Sequence, residues 1–329
     1  MTTAHPRLLM VALRHASLIL FVIVIAIFAV LAPRFFTADN AINVLIQSAP
    51  TGIVAVGMTF VLLTAGVDLS VGAIMFLAAA VAGKILLAGQ PLALALTAML
   101  AIGLAGGGMN AFFIARLRIA PFIVTLAFLF IGRGFALTLT QTRAMNLPET
   151  FLELGSARLL GIPVPLLTLG VVLLVAHAIL THTPFGRQIY ALGNHPTNAR
   201  KAGIRTTRVI TYVYLISGVC AALGAILSLT QLGAVSPKFG EAYEFKAIAA
   251  AVLGGTSLFG GRGAVLPGTL LGAVLIQAVE SGLVILNADP YLYPMITAAI
   301  IFLAVFVDSL RNTLLAQLNR RRIRSEAAA

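Results

Sequence analysis

Asp68 is the one charge between Asp39 and Lys84, set in the run VLLTAGVDLSVGAIMFLAAAVAG (61–83), and Arg133 and Glu280 stand well inside two further apolar runs. Ionisable groups in such surroundings are costly; they face protein or water and act as proton sites, ion-coupling sites or ion pairs. A proton relay needs more than one titratable group within reach, so Arg133 and Glu280 read as a structural pair between two helices. No paired catalytic constellation accompanies them, and no catalytic residue is expected. His177 has no His, Asp or Glu near it at metal-ligand spacing, so no metal is expected either. The single cysteine, Cys220, lies in an apolar run, which leaves neither a disulfide nor a Cys-based metal site.

Neutral polar groups in the apolar runs offer a different chemistry. A hydroxyl-rich, uncharged solute needs amides, hydroxyls and aromatics along its way rather than fixed charge. Single Ser or Thr residues in membrane helices tend to bond their own backbone. Buried amides are costlier to leave unpaired, so Asn43, Gln47, Asn110 and Gln277 are the stronger pathway candidates, with Thr125 beside them. Hydrogen bonding between helices is the structural alternative for each.

These residues must be positioned by membrane helices. The hydrophobic fraction is 60%, the charged fraction 10% and the mean hydropathy +1.04. A hydrocarbon core about 30 Å thick takes roughly 20 apolar residues per helical crossing. The apolar runs are continuous rather than alternating, which excludes a β-barrel and gives an all-α polytopic membrane protein. About ten spans are expected, at 16–33, 41–63, 70–88, 92–115, 121–141, 162–181, 209–230, 246–259, 264–285 and 293–309, in a single transmembrane domain over 1–329. The first is read as an uncleaved span, because its apolar run is long for a signal peptide. The 30 glycines suit close helix packing where lipid gives no hydrophobic drive.

An even number of spans puts both termini on one side, and the positive-inside rule selects it. With cytoplasmic termini, the inner segments hold Arg7, Arg14, Arg116, Arg118, Arg187, Arg200, Lys201, Arg205, Arg208, Arg262 and the basic tail 310–329. The outer side is left with Arg34, Lys84, Arg143, Arg158, Lys238 and Lys246. The net charge of +12 is therefore topogenic bias facing lipid headgroups, not a nucleic-acid surface. There is no Trp, and the 6 tyrosines fall at or near span ends, as an interfacial belt would. The outer segment 142–161 is expected to form a short amphipathic helix on the membrane surface.

Two helix breaks are expected, near 64–70 and 254–263. With span two running inward, Asp68 lies close to the inner interface, where its carboxylate would cap the first turn of span three, with Ser70 as a second cap. GVDLSVG (66–72) aligns without gaps on GTSLFGG (255–261), so Gly255 and Gly261 mark a similar break, as repeats in transporters do. The eighth span is too short for a full crossing and fits a discontinuous helix. No G-x-x-x-x-G-K-[ST] occurs, and the glycine runs at 106–108 and 254–263 lack the strand–loop–helix setting of a phosphate site.

The segment HTPFGRQIYALGNHPTNARKAGIRTTR (182–208) is the largest hydrophilic stretch between spans. Asn194 or His195 can cap a helix with Pro196 in its first turn, Gly203 supplies a left-handed stop, and Arg200 and Lys201 lie between. A mere tether needs neither start nor stop, so a docking helix of about two turns is expected.

GRQIYALGNHPTNARKAGI (186–204) resembles the coupling loop of the ribose-type ABC sugar permeases. GVDLSVGAI (66–74), NAFFIARLRIAPFIVTLAFLFIGRG (110–134), YEFKAIAAAVLGGTSLFGGRG (243–263) and AVFVDSLR (304–311) are similar to the same family, in order along essentially the whole chain. The resemblance implies a ten-helix permease of a bacterial inner membrane that works as a pair of permeases, identical or not. It implies a separate ATPase subunit that binds ATP and Mg, no cofactor in this chain, and a periplasmic sugar-binding protein. Gly193, Asn194, Pro196, Arg200, Lys201 and Gly203 would then be the ATPase-coupling residues. Ala65 replaces a glycine of the family pattern, and Phe245-Lys246 stand where an acidic residue is usual. Branched-chain amino acid or nucleoside permeases share the superfamily, and an ion-coupled carrier would need the intramembrane carboxylates Asp68 and Glu280. Asp68→Asn is expected to be tolerated far better than Asp68→Ala in a transport assay, because a hydrogen-bonding role survives the first change only.

Overall fold

A computed structural model describes residues 16–32, 34–299, 302, 303 and 306. The tail 310–329 and part of the tenth expected span lie outside them. The described residues fall into two units, Ala41–Gln277 and the pairing of Met1–Asn40 with Ala278–Ala329. In the second, α1 (Ala16–Leu31) is followed by the contact of Phe28 with Phe35, ring centroids 5.5 Å apart. There the Ser281 hydroxyl donates to Asn40 Oδ1 at 2.8 Å, and Glu280 is half-buried.

The larger unit is organised around α2 (Ala38–Leu63), which is buried without interruption from Ser48 to its end. Pro50 lies inside this helix. A proline there has no N–H for the carbonyl four residues earlier, and with little water available that carbonyl must find another donor. Gln231 provides it: its Nε2 donates to the Ile46 carbonyl at 3.1 Å. After a break at 64–70 come α3 (Val71–Leu87) and α4 (Leu92–Ala111), which runs on through a wide turn, Phe112–Arg116. Then follow α5 (Pro121–Thr140), α6 (Glu149–Ser156) and α7 (Val164–His182). The expected helix of the 142–161 segment is thus α6, anchored by the fully buried Phe151. Short antiparallel pairs flank it: β1 (Met145–Asn146) with β4 (Ala234–Val235), and β2 (Arg158–Leu159) with β3 (Ile162–Pro163).

The 182–208 segment holds two helices where one is expected: α8 (Pro184–Asn194) and α9 (Pro196–Lys201). Thr183 caps α8 by accepting the Gly186 N–H at 3.2 Å, and Pro184 takes the first helical position, where its missing N–H costs nothing. After α10 (Thr206–Leu232) comes α11 (Tyr243–Leu253), which at 11 residues is about 16 Å long and too short to cross a membrane alone. The chain breaks at 254–264, makes a wide turn over Val265–Thr269 and enters α12 (Leu270–Ile285). Among the described residues, six helices are long and apolar enough to span a membrane: α2, α4 with its wide turn, α5, α7, α10 and Val265–Ile285. The protein is a polytopic helical membrane protein.

α4 packs closely against α10. Gly103 and Gly107 of α4 meet the backbone of Tyr214 and Gly218 on α10 so closely that an added Cβ at any of the three glycines would collide with a carbonyl oxygen of the other helix. Small residues four apart let two backbones touch, which supplies the dispersion contact that lipid cannot. Gly103→Val is expected to destabilise the protein by about 2–3 kcal/mol, the order of core overpacking, visible as a lowered unfolding midpoint in detergent.

Candidate functional site

The break between α2 and α3 folds into the interior. Asp68 is fully buried; its Oδ1 accepts the Ser70 N–H at 3.0 Å and the Ser70 hydroxyl at 2.5 Å, and its Oδ2 accepts the Ser217 hydroxyl at 2.7 Å. Ser70 in turn accepts the Asn110 amide at 2.7 Å. The neighbouring Val67 carbonyl receives the Tyr214 hydroxyl at 3.1 Å, with Thr125 Oγ1 3.5 Å away. Neither Asp68 nor Ser70 gives α3 the expected side-chain cap, because no side chain bonds its first turn. The reason is tertiary: Ser217 lies near the middle of α10, so Asp68 is inside the bundle, where a carboxylate must collect donors from neighbouring helices. Asn110 and Thr125, read as pathway candidates, are fully buried around this network.

The inner-loop residues meet both breaks. Gly193, near the end of α8, lies against the Leu63 carbonyl and Gly261 N–H, so close that a Cβ would collide with Leu63 O. Those two groups bond each other, Gly261 N–H to Leu63 O, at 3.0 Å, joining the end of α2 to the 254–264 break. Asn194 Nδ2 donates to Tyr190 O at 3.1 Å and reaches Gly261 O at 3.5 Å, and the Tyr190 hydroxyl donates to Gly263 O at 2.9 Å. Half-burial pushes the Tyr190 phenol above its ordinary range, so it keeps the proton that this bond uses. Asn194 therefore closes α8, and His195 precedes α9 without a side-chain cap. Pro196 opens α9, Arg200 and Lys201 are exposed in its last turn, and Gly203 turns left-handed at φ +81°. Gly255 and Gly261 have φ of +90° and +70° within the second break. Tyr190 is a contact residue that sequence reasoning misses; the signal available is the alternation of Gly186, Ile189, Leu192 and Gly193 on the buried face of α8.

The remaining pathway candidates lie elsewhere. Gln277 Nε2 donates to Gln47 Oε1 at 2.9 Å. Asn43 and Gln47 line a 490 Å³ pocket with Ile46, Leu152, Gly155, Ser156, Thr230, Gln231 and Leu232. Arg133 has a carboxylate from its own unit beside it, Glu241 Oε2 at 3.6 Å from its Nη2. Its Nη2 also donates to Pro237 O at 3.0 Å, and the guanidinium lies 5.4 Å from the Phe76 ring centroid. The loop after β4 brings an acceptor to the arginine that no helix-to-helix reading of the sequence includes. Among the described residues no group of His, Cys, Asp and Glu could hold a metal ion.

Residues 40–305 match the family described as branched-chain amino acid transport system / permease component. The chain belongs to this permease family. It is 39% identical to the ribose import permease protein RbsC of Escherichia coli (strain K12) over 302 residues, 90% of this chain and 94% of that one. It is 39% identical to RbsC of Bacillus subtilis (strain 168), over 88% and 90% of the two chains. The D-allose transport system permease protein AlsC of Escherichia coli (strain K12) is 35% identical, over 90% and 92%. No solved structure matches.

Within this permease, the contacts of α8 separate by size of effect. Tyr190→Phe removes one neutral hydrogen bond and is expected to cost about 1 kcal/mol. Gly193→Val forces α8 off the end of α2 and is expected to lower the unfolding midpoint several times more, when both variants are melted in detergent.

Proposed function

We propose that this chain is the membrane-spanning permease subunit of an ATP-driven, binding-protein-dependent ABC importer for a monosaccharide. The observation that carries the reading is the set of relatives: permeases named for ribose, D-allose, fructose and galactofuranose are 32–39% identical over about nine-tenths of this chain. The family description alone would allow a branched-chain amino acid. A zwitterion, however, calls for charged partners, and the Asn43–Gln47 pocket is lined only by neutral residues.

In this reading the chain does no chemistry. A separate ATPase subunit binds ATP and Mg, a periplasmic binding protein delivers the sugar, and a second permease copy completes the pathway in a bacterial inner membrane. Both termini are cytoplasmic and the chain crosses about ten times. The α8–α9 element is the coupling loop, with exposed Arg200 and Lys201 toward the ATPase. Its mechanical logic follows from the contacts of Gly193, Asn194 and Tyr190: α8 touches the end of α2 and the 254–264 break together, so one push reaches both discontinuities. An ion-coupled carrier is less well supported, because the Asp68 carboxylate is already occupied by three donors from this chain.

The test is reconstitution in liposomes with and without the ATPase subunit and binding protein. Uptake is expected only in the complete system, with ATPase co-purification weakened at least tenfold by the double change Arg200→Glu, Lys201→Glu. Uptake by the permease alone would overturn the reading.

A further inference from the structure

A wholly apolar groove of 720 Å³ runs between α7 and α10. Val171, Val175 and Ile179 of α7 form one wall, and Tyr212, Ile216, Val219 and Leu223 of α10 form the other. Its floor is Val56 and Phe60 of the buried helix α2, while Val171 and Val175 on the rim are exposed. From Tyr212 to Leu223 the α10 wall is about 16 Å long at the helical rise. That is the depth of one leaflet, half of a hydrocarbon core about 30 Å thick. The groove ends at Phe185, in the first turn of α8, whose ring meets that of Tyr212 edge-on with centroids 5.9 Å apart.

The same end carries unmatched positive charge. Arg208 stands four residues before Tyr212 on the same face of α10, and Arg205 lies just ahead of the helix; both are exposed. Gly103 and Gly107 of α4 lie against Gly218 and Tyr214, so the two helices are antiparallel. The exposed Arg116, at the end of the wide turn that continues α4, therefore comes beside the first turns of α10. The sequence has no Asp or Glu between Glu153 and Glu241. Among the described residues none of these three arginines has a carboxylate partner.

We propose that this groove binds an anionic phospholipid of the inner leaflet, one acyl chain lying along α7 and α10 and the phosphate meeting Arg205, Arg208 and Arg116. The proposal rests on the permease reading for its leaflet alone, since there the α8 end of the groove faces the cytoplasm. Charge complementarity selects the occupant. An acyl chain by itself gains little in the groove, because the surrounding lipid is equally apolar. Selectivity comes from the head group, as it does where basic residues gather between helices at the cytoplasmic side of a membrane. A helix of a second copy would need an apolar wall across the full depth of the bilayer, and this wall covers half of it. The chain would pack against Phe185 and so brace the first turn of α8, the helix whose Gly193 seats on the Leu63 carbonyl.

The test is native mass spectrometry of the full-length permease in detergent, with palmitoyl-oleoyl phosphatidylglycerol or phosphatidylcholine added at equal concentration. Phosphatidylglycerol is expected to be retained about fivefold more or better, the order that one basic residue near a membrane surface contributes. Arg205→Gln together with Arg208→Gln should cut that preference to less than about twofold, and Ile216→Trp, which fills the groove, should lower retention of both lipids. Phosphatidylglycerol should also raise the unfolding midpoint of the native chain but not of the double variant, a comparison that stands even where Ile216→Trp does not fold. Equal retention of the two lipids by the native chain, or a preference that survives the arginine changes, overturns the site. Val175→Cys tests the other occupant, with the native chain as its blank because the one cysteine, Cys220, is buried. It should stay monomeric on mild oxidation in membranes; a disulfide-linked dimer would place a second copy on the groove and overturn the proposal. None of these measurements needs an ATPase subunit or a sugar, so their failure leaves the permease reading standing.

Discussion

The organising constraint is that a polar group drawn into this apolar bundle is costly to leave unsatisfied, so the protein supplies the partners itself. Among the described residues, Asn110 Oδ1 and Thr256 Oγ1 are the buried side-chain atoms without one. The break between α2 and α3 is where that demand is greatest, since it exposes backbone and contains Asp68. Each bond to a charged acceptor contributes about 1.5–3 kcal/mol, so the three donors to Asp68 fix where α3 and α10 stand relative to the break. Asn110 on α4 and Tyr214 on α10 then tie the next groups in line. The same demand recurs at Pro50, where the carbonyl released by the proline is answered by Gln231 from the far end of α10. Irregular backbone is tolerated here because neighbouring helices complete it.

Close backbone approach is the second consequence. Where hydrocarbon lies outside, helices hold together by contact rather than by expulsion of water. Glycine at 103, 107 and 218 lets α4 and α10 touch, and glycine at 193 lets α8 sit directly on the carbonyl that ends α2. This second contact places a hydrophilic loop against two helix discontinuities. An element that only balanced charge would need no such fit.

Much of this is legible along the chain. Continuous apolar runs announce membrane helices, the glycine and proline positions announce both breaks and the start of α9, and the order of motifs announces the family. The points where sequence and structure differ share one cause. Asp68 reads as a cap because a carboxylate just before an apolar helix has that local meaning; its actual partner Ser217 is 149 residues away. Glu241 goes unnoticed as a neighbour of Arg133 because it comes from a loop, more than a hundred residues along the chain. Asn43, Gln47 and Gln277 group with Asn110 and Thr125 on residue type alone, though the two sets occupy different places.

By itself, then, the sequence determined the class of the protein and the two places where its helices break, because each depends on composition and on spacing within a few residues. Which polar groups satisfy which, and how the inner loop seats on both breaks, were decided only in three dimensions. Those pairings run across long stretches of chain, selected by the cost of leaving a buried donor or acceptor alone, and no local pattern records them.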